Sequence, residues 1–503
     1  MDEDAESRPH RHQRPTRSAI AALLGLLLLV NLAASLYQLP LNRVVERRLC
    51  EEYYNQHDPL VIGPDGNIDE EFCKADPIQA GLGRIQGFMD TTWIVGDFVM
   101  TIPLGFVAEK YGRRALLWLN FAPRVFMLAW AVIVGYFNQI LPTKAILAGP
   151  IFSFLGGDCV FNSITYSLAA GITDDYVLRA SYFGYMSSIS YVVNLLGPAL
   201  ASASMTLLLW LPFWIGITLL IIAIPIISLL PDHNNTTSER RDEQSQPLLS
   251  SPLLKAQDPG PTVLQSVIGR FHALRAALAS HPRNFSLLLA CFLLASLASS
   301  DTKLLVQYIS KRYGWTFAAA GYLLSGKAVV NFVLLTVVVP RFLRSVAAGG
   351  DGESPPGASS DRVNFRLATL CFGVSVLGAL AIAVSATVWL LVPALLVYAL
   401  GSALPIFTLS LLKSPAICSP NSADNRADED RGEATSSGAD AETHIFSIVM
   451  LVKTLGSLLG APLMAFLWVR GIGLGGAALG MPYFVSAGCY AAAIFIFCRI
   501  IIN

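Results

Sequence analysis

Gly105-Phe106-Val107-Ala108-Glu109-Lys110-Tyr111-Gly112-Arg113-Arg114 is a short charged stretch between two long apolar ones. Gly105 lets one helix approach a neighbour closely. Gly112 permits a tight turn. Glu109 is placed to cap a helix N-terminus, or to pair with Arg113 and Arg114 where the chain leaves lipid. These residues form the turn of a hairpin of two membrane helices, Ile78 to Ala108 before it and Ala115 to Phe137 after it. A plain basic loop between two spans is the blander reading, and the two are compatible.

Outward from this hairpin the pattern repeats. Apolar runs at Ser18–Pro40, Ala145–Ile172, Ser181–Ser202 and Met205–Leu230 complete a first group of six spans. After a polar stretch, runs at Asn284–Ile309 and Thr316–Val339 follow. The run Leu367–Leu412 is twice the length of one crossing, so it must break near Ser385-Ala386-Thr387. Thr443–Val469 and Gly480–Ile501 bring the total to twelve. The fold class is an all-α membrane protein of two six-helix bundles. Residues 1–17 read as a tail, 18–230 as the first bundle with an outer loop at 41–77, and 284–503 as the second bundle. The linker 231–283 carries apolar residues at helical spacing over 263–279, which suits either a helix in the membrane interface or a solvated linker helix.

Composition agrees. Of 503 residues, 54% are hydrophobic and 14% charged, against about 25% charged in soluble domains. Net charge is zero, so there is no basic field to attract nucleic acid. Lys and Arg concentrate in the loops on the N-terminal side, which places both termini and the linker in the cytoplasm. The eight cysteines form no metal-binding pattern, and no nucleophile–base pair or phosphate loop points to an enzyme, a cofactor or a metal. Cys50 and Cys73 alone fall in an outer loop, where an oxidising compartment favours a disulfide.

The 105–114 stretch resembles the signature of the major facilitator superfamily: a Gly, an acid four residues on, then Gly-Arg-Arg. Glu109 stands where Asp is usual. The resemblance implies two rocking bundles around a midplane site, with Gly105, Glu109, Gly112, Arg113 and Arg114 as a conformational gate. The first outer loop, with Cys50-Glu51-Glu52-Tyr53-Tyr54 and Phe72-Cys73-Lys74, is similar to a fungal branch of the superfamily, distantly related to proton-coupled folate transporters. Gly197-Pro198 in the fifth span and Gly460 with Pro462 in the eleventh occupy matching places and are expected to bend their helices.

Ionisable residues at membrane depth are functional candidates by default. Asp90 and Asp97 lie two turns apart on one helix face. Arg124 follows Pro123, and Asp158 follows Gly156-Gly157. Lys303, Lys327 and Lys453 lie in the second half, so a central cavity would have an acidic wall and a basic one. The sharp reading gives the acids a coupling proton and the lysines an anionic solute. The blander reading pairs Asp97 or Asp158 with Arg124, and lets Lys303 pair with Asp301 or reach the headgroups. The expectation is a proton-coupled, monomeric secondary transporter of a small organic solute in the plasma membrane. Leu248-Leu249 and Leu253-Leu254 keep a vacuolar address open. A sensor that keeps the fold without transport is the alternative.

Overall fold

In a computed structural model, the described residues are 13–63, 68–137, 140–172, 176–230, 283–338, 341, 358–411 and 437–500. The first half contains α1 (Gln13–His57), α2 (Asp76–Tyr111), α3 (Arg113–Tyr136), α4 (Asp158–Ile172), α5 (Tyr176–Leu207) and α6 (Leu211–Leu229). The second contains α7 (Arg283–Ser299), α8 (Leu305–Tyr313), α9 (Phe317–Val333), α10 (Ala358–Val384), α11 (Val388–Leu400), α12 (Leu404–Leu411), α13 (Ser437–Leu474) and α14 (Met481–Phe497).

Eleven stretches among the described residues are long and apolar enough to cross a membrane. The twelfth crossing is α2. Its 36 residues exceed the length needed to cross the bilayer core. The expected break at 385–387 is present. Ser385 is held there by Arg312, whose Nε donates to its carbonyl at 2.7 Å, and by the Tyr313 hydroxyl at 3.0 Å. Both contacts satisfy the one Ser385 carbonyl, which the end of α10 leaves without an intrahelical partner.

Among the described residues three crossings are broken. The fourth opens with two 3-10 turns, Thr143–Ala148 and Pro150–Leu155, before α4. The seventh breaks at a 3-10 turn, Ser300–Lys303, between α7 and α8. The tenth breaks at Gly401–Ala403 between α11 and α12. By contrast α5 and α13 run unbroken through Gly197-Pro198 and through Gly460 and Pro462. The glycines there also lie at close helix contacts. A Cβ on Gly197 would overlap the Ser35 Oγ on α1, and one on Gly460 would lie 2.7 Å from the Leu297 carbonyl oxygen on α7. The fifth helix of each half thus presses its glycine on the first.

The outer loop also differs from expectation. α1 does not stop at Pro40 but continues to His57, burying Leu41, Val44, Val45 and Arg48 at helical spacing. Cys50 on this extension is bonded to Cys73 just before α2. Of the expected tail, residues 13–17 belong to α1. The expected interfacial helix at 263–279 lies outside the described residues.

Both cysteines are fully buried beside Ile68 and Ile78, in a small core separate from the main one. Constraining a loop of this length in the unfolded chain is worth about 3 kcal/mol. Cys50→Ser with Cys73→Ser is expected to lower the unfolding temperature of the detergent-solubilised protein by several degrees. An unchanged melting curve would show that the bridge is idle.

Within the first half α1 packs on α5 and α6; within the second α7 packs on α13 and α14. The halves meet through α2 with α13 and α5 with α9. The second crossing of each half therefore touches the fifth of the other, a twofold-related arrangement. At the disulfide end the halves are also joined by side chains. Glu70 accepts a 2.8 Å hydrogen bond from the Phe317 backbone N–H at the start of α9, and Lys311 pairs with Asp76 and donates to the Lys74 carbonyl. Lys74 sits 4.6 Å over the Phe317 ring and is held by Glu46 and Glu70 at 2.7 and 2.9 Å.

Candidate functional site

The first-half charges form one connected cluster. Gly156-Gly157 has no side chains, which lets the fourth crossing press against α2 and α3. A Cβ on Gly157 would overlap the Asp97 carboxyl, and one on Gly156 would fall 2.5 Å from Asn120. Asp97 accepts from the Cys159 backbone N–H at 2.9 Å and so caps α4. The Arg124 guanidinium donates to Asp158 at 2.7 Å and to Asn120 at 3.0 Å. The Trp93 indole donates to the other Asp158 oxygen at 3.2 Å, and Phe161 lies 5.0 Å beneath the guanidinium. Arg124 is buried, while the Asp158 side chain is half exposed.

Arg124 has thus chosen Asp158 of the two acids available to it in sequence. Lys303 does not pair with Asp301, two residues earlier. It reaches across to the other half, its Nζ 3.8 Å from Asp90, which also takes a weak hydrogen bond from Gln86 at 3.5 Å. Asp301 turns away into the protein, fully buried, and accepts a 2.9 Å hydrogen bond from the Tyr398 hydroxyl.

The second half contains a cavity of about 300 Å³ whose lining includes Lys327, Asn331, Lys453, Tyr398 and Phe292. Lys327 lies 5.0 Å over the Tyr398 ring. Among the described residues neither Lys327 nor Lys453 forms an ion pair, and the Asn331 carbonyl oxygen is buried without a donor. Lys327 and Lys453 therefore line one cavity. Among these deep charges, and among the described residues, only Asp90 and Lys303 touch across the divide.

Of the expected gate, Gly112 adopts φ 90° and begins α3, the left-handed conformation a tight turn asks of glycine. Arg114 donates to the Ser228 carbonyl of α6 at 2.9 Å. The Glu109 side chain lies outside the described ones. Sequence reading did not assign Asp301 a buried place beside Lys327. Its position among Ser and Thr at the end of an apolar run, Ser299-Ser300-Asp301-Thr302, was the available sign of a helix break.

Residues 72–423 match the Major Facilitator Superfamily. The chain is 26% identical to the "MFS efflux pump atnC" of Emericella nidulans, over 95% of this chain and 88% of that protein. It is 23% identical to the "MFS transporter SAT21" of Stachybotrys chartarum, over 93% and 94%. Among solved structures it resembles the human organic anion transporter MFSD10 (TM-score 0.55, 17% identity, covering 96% of this chain and 100% of that one). It also resembles a point mutant of the nucleoside transporter NupG (TM-score 0.57, 13% identity, covering 95% and 99%). These relatives are membrane transporters and not enzymes. With its twelve crossings in two bundles and its 105–114 turn, this chain belongs to the major facilitator superfamily.

Proposed function

We propose that the chain is a proton-coupled secondary transporter that carries a small organic anion by alternating access. The observation that carries this reading is the pair of ammonium groups, Lys327 and Lys453, in one cavity without a carboxylate partner among the described residues. An unpaired cation at membrane depth is costly, so a site that keeps two is built to be completed by a ligand. The fungal relatives named as pumps and transporters support a small metabolite as that ligand. The positive-inside bias places the termini and the 105–114 turn in the cytoplasm and the disulfide outside. The conformer is then closed to the outside, and Asp158 faces the cytoplasmic opening. The protein works as a monomer in the plasma membrane.

The test is uptake of a mixed metabolite panel into proteoliposomes, read by mass spectrometry, with and without an inward proton gradient. The wild type is expected to accumulate at least one anionic solute only with the gradient. Lys453→Ala removes one charged contact worth about 1.5–3 kcal/mol and is expected to raise the half-saturating concentration about tenfold or more. Solutes that bind yet never cross the membrane would replace the carrier with a sensor. Retention of wild-type kinetics in Lys453→Ala would move the solute site elsewhere.

A further inference from the structure

The deep acids differ in their partners. Asp158 has Arg124 and Trp93, Asp97 has the Cys159 N–H, and Asp90 has Lys303 and Gln86. Asp301 has one neutral partner, Tyr398, on one oxygen, and its Oδ2 is buried with none. It forms no ion pair among the described residues, and its solvent exposure is 0%. A carboxylate ion stripped of water with a single neutral donor costs several kcal/mol, whereas the carboxylic acid does not.

The groups around it come from three other helices. Lys327 faces it from α9 and Tyr398 from α11. Tyr483, Ser486, Cys489 and Tyr490 face it from α14. The Ser486 hydroxyl is already donated to the Ala298 carbonyl at 3.0 Å, which leaves it no second proton for Asp301. Among the described residues Lys327 is thus the single cation in this company, and Tyr398 lies between it and the carboxyl. Tyr398, Tyr490 and Lys327 all line the cavity of the second half. Asp301 itself sits at the 3-10 turn where the seventh crossing breaks, so its charge state bears directly on a hinge between α7 and α8.

We infer that Asp301 is the proton-binding carboxylate of the transport cycle, with Tyr398 as a positioning residue between it and Lys327. This rests on the proton-coupled reading above. A proton entering from the cavity bonds to the Asp301 Oδ2, and no other bond is made or broken. With that proton in place Lys327 has no internal counter-ion and is free to hold the solute anion. When the proton leaves, the Asp301 carboxylate takes the Lys327 charge for itself and the anion is released. Proton and anion then travel together.

The decisive measurement is infrared difference spectroscopy of the purified protein between acid and alkaline buffer, which needs no solute. The wild type is expected to show the carbonyl stretch of a protonated, poorly hydrated carboxylic acid. Asp301→Asn should lose that band, and Asp90→Asn and Asp158→Asn should keep it. Tyr398→Phe, which removes the phenol donor and leaves the ring, should keep the band at a shifted frequency. A band that persists unshifted in Asp301→Asn or in Tyr398→Phe overturns the assignment, as does a wild type without one. In proteoliposomes, Asp301→Asn should still exchange solute but only to equal concentrations on both sides. Gradient-driven accumulation by that variant would overturn the assignment and leave the carrier standing. A wild type that shows the band and moves no solute would do the reverse.

Discussion

Replacing Gly87 by leucine is expected to abolish accumulation in a protein that still folds. Gly87 lies on α2 where it crosses α13, and a Cβ there would overlap the Ala465 Cβ. A Cβ on Gly83, one turn earlier, would lie 2.7 Å from the Trp468 ring, and one on Gly321 of α9 would overlap the Ser202 Oγ of α5. These contacts join the two halves near the disulfide end and exist only while that end is closed. A side chain of four carbons cannot be housed there without parting the helices. Each half keeps its own core, so the penalty falls on one conformer. Overpacking costs about 1–3 kcal/mol, which shifts a two-state balance about 5- to 150-fold. The check is a distance distribution between spin labels carried by unnatural residues at Leu60 and Ala386, both exposed at this end. The distance should lengthen in Gly87→Leu. A wild-type distribution with wild-type flux would mean that these glycines are not where the halves close.

Arg124→Leu is the second large effect, and it falls on stability as well as flux. Among the described residues the guanidinium is the one group that joins Asn120 on α3 to Asp158 on α4. Its loss leaves an amide oxygen buried and a carboxylate with the Trp93 indole alone. Breaking a buried ion pair costs about 3–5 kcal/mol, but Asp158 is half exposed and regains water, so about 2–3 kcal/mol is expected. Scanning fluorimetry in detergent should show a fall of several degrees. Adding Asp158→Asn should recover part of it, because no orphaned charge then remains. Arg124→Lys should not restore the wild type, since a single ammonium lacks the planar fork that reaches both acceptors. Equal stability of Arg124→Leu and wild type would show that the pair is ornamental to the fold.

Much of this architecture is written in hydropathy. The crossings were legible because each must fill a bilayer, and the break at Ser385–Thr387 followed from length alone. The buried cysteine pair followed from compartment chemistry. What escaped is tertiary. Lys303 pairs with Asp90 because the two halves bring the second and seventh crossings together, and no local spacing encodes that. Asp301 and Lys303 are near in sequence but two residues apart on a helical turn, a spacing that sends side chains to different faces. The extension of α1 was readable in the helical spacing of Leu41, Val44, Val45 and Arg48, but a proline and many charges masked it. The close contacts of Gly197 and Gly460 were not legible either, because a missing Cβ serves close approach as readily as flexure.

The closed disulfide end has a practical corollary. The surface around the Asp76–Lys311 ion pair, where Asp76 of the first half is exposed, is assembled from both halves. It is a composite epitope that no single half presents. An antibody fragment selected against it would recognise one conformer and ignore the other. Bound, it would clamp the carrier shut on that side. The same reagent would then serve as a sensor of state, an inhibitor acting from the disulfide side, and a rigid fiducial for imaging a small membrane protein.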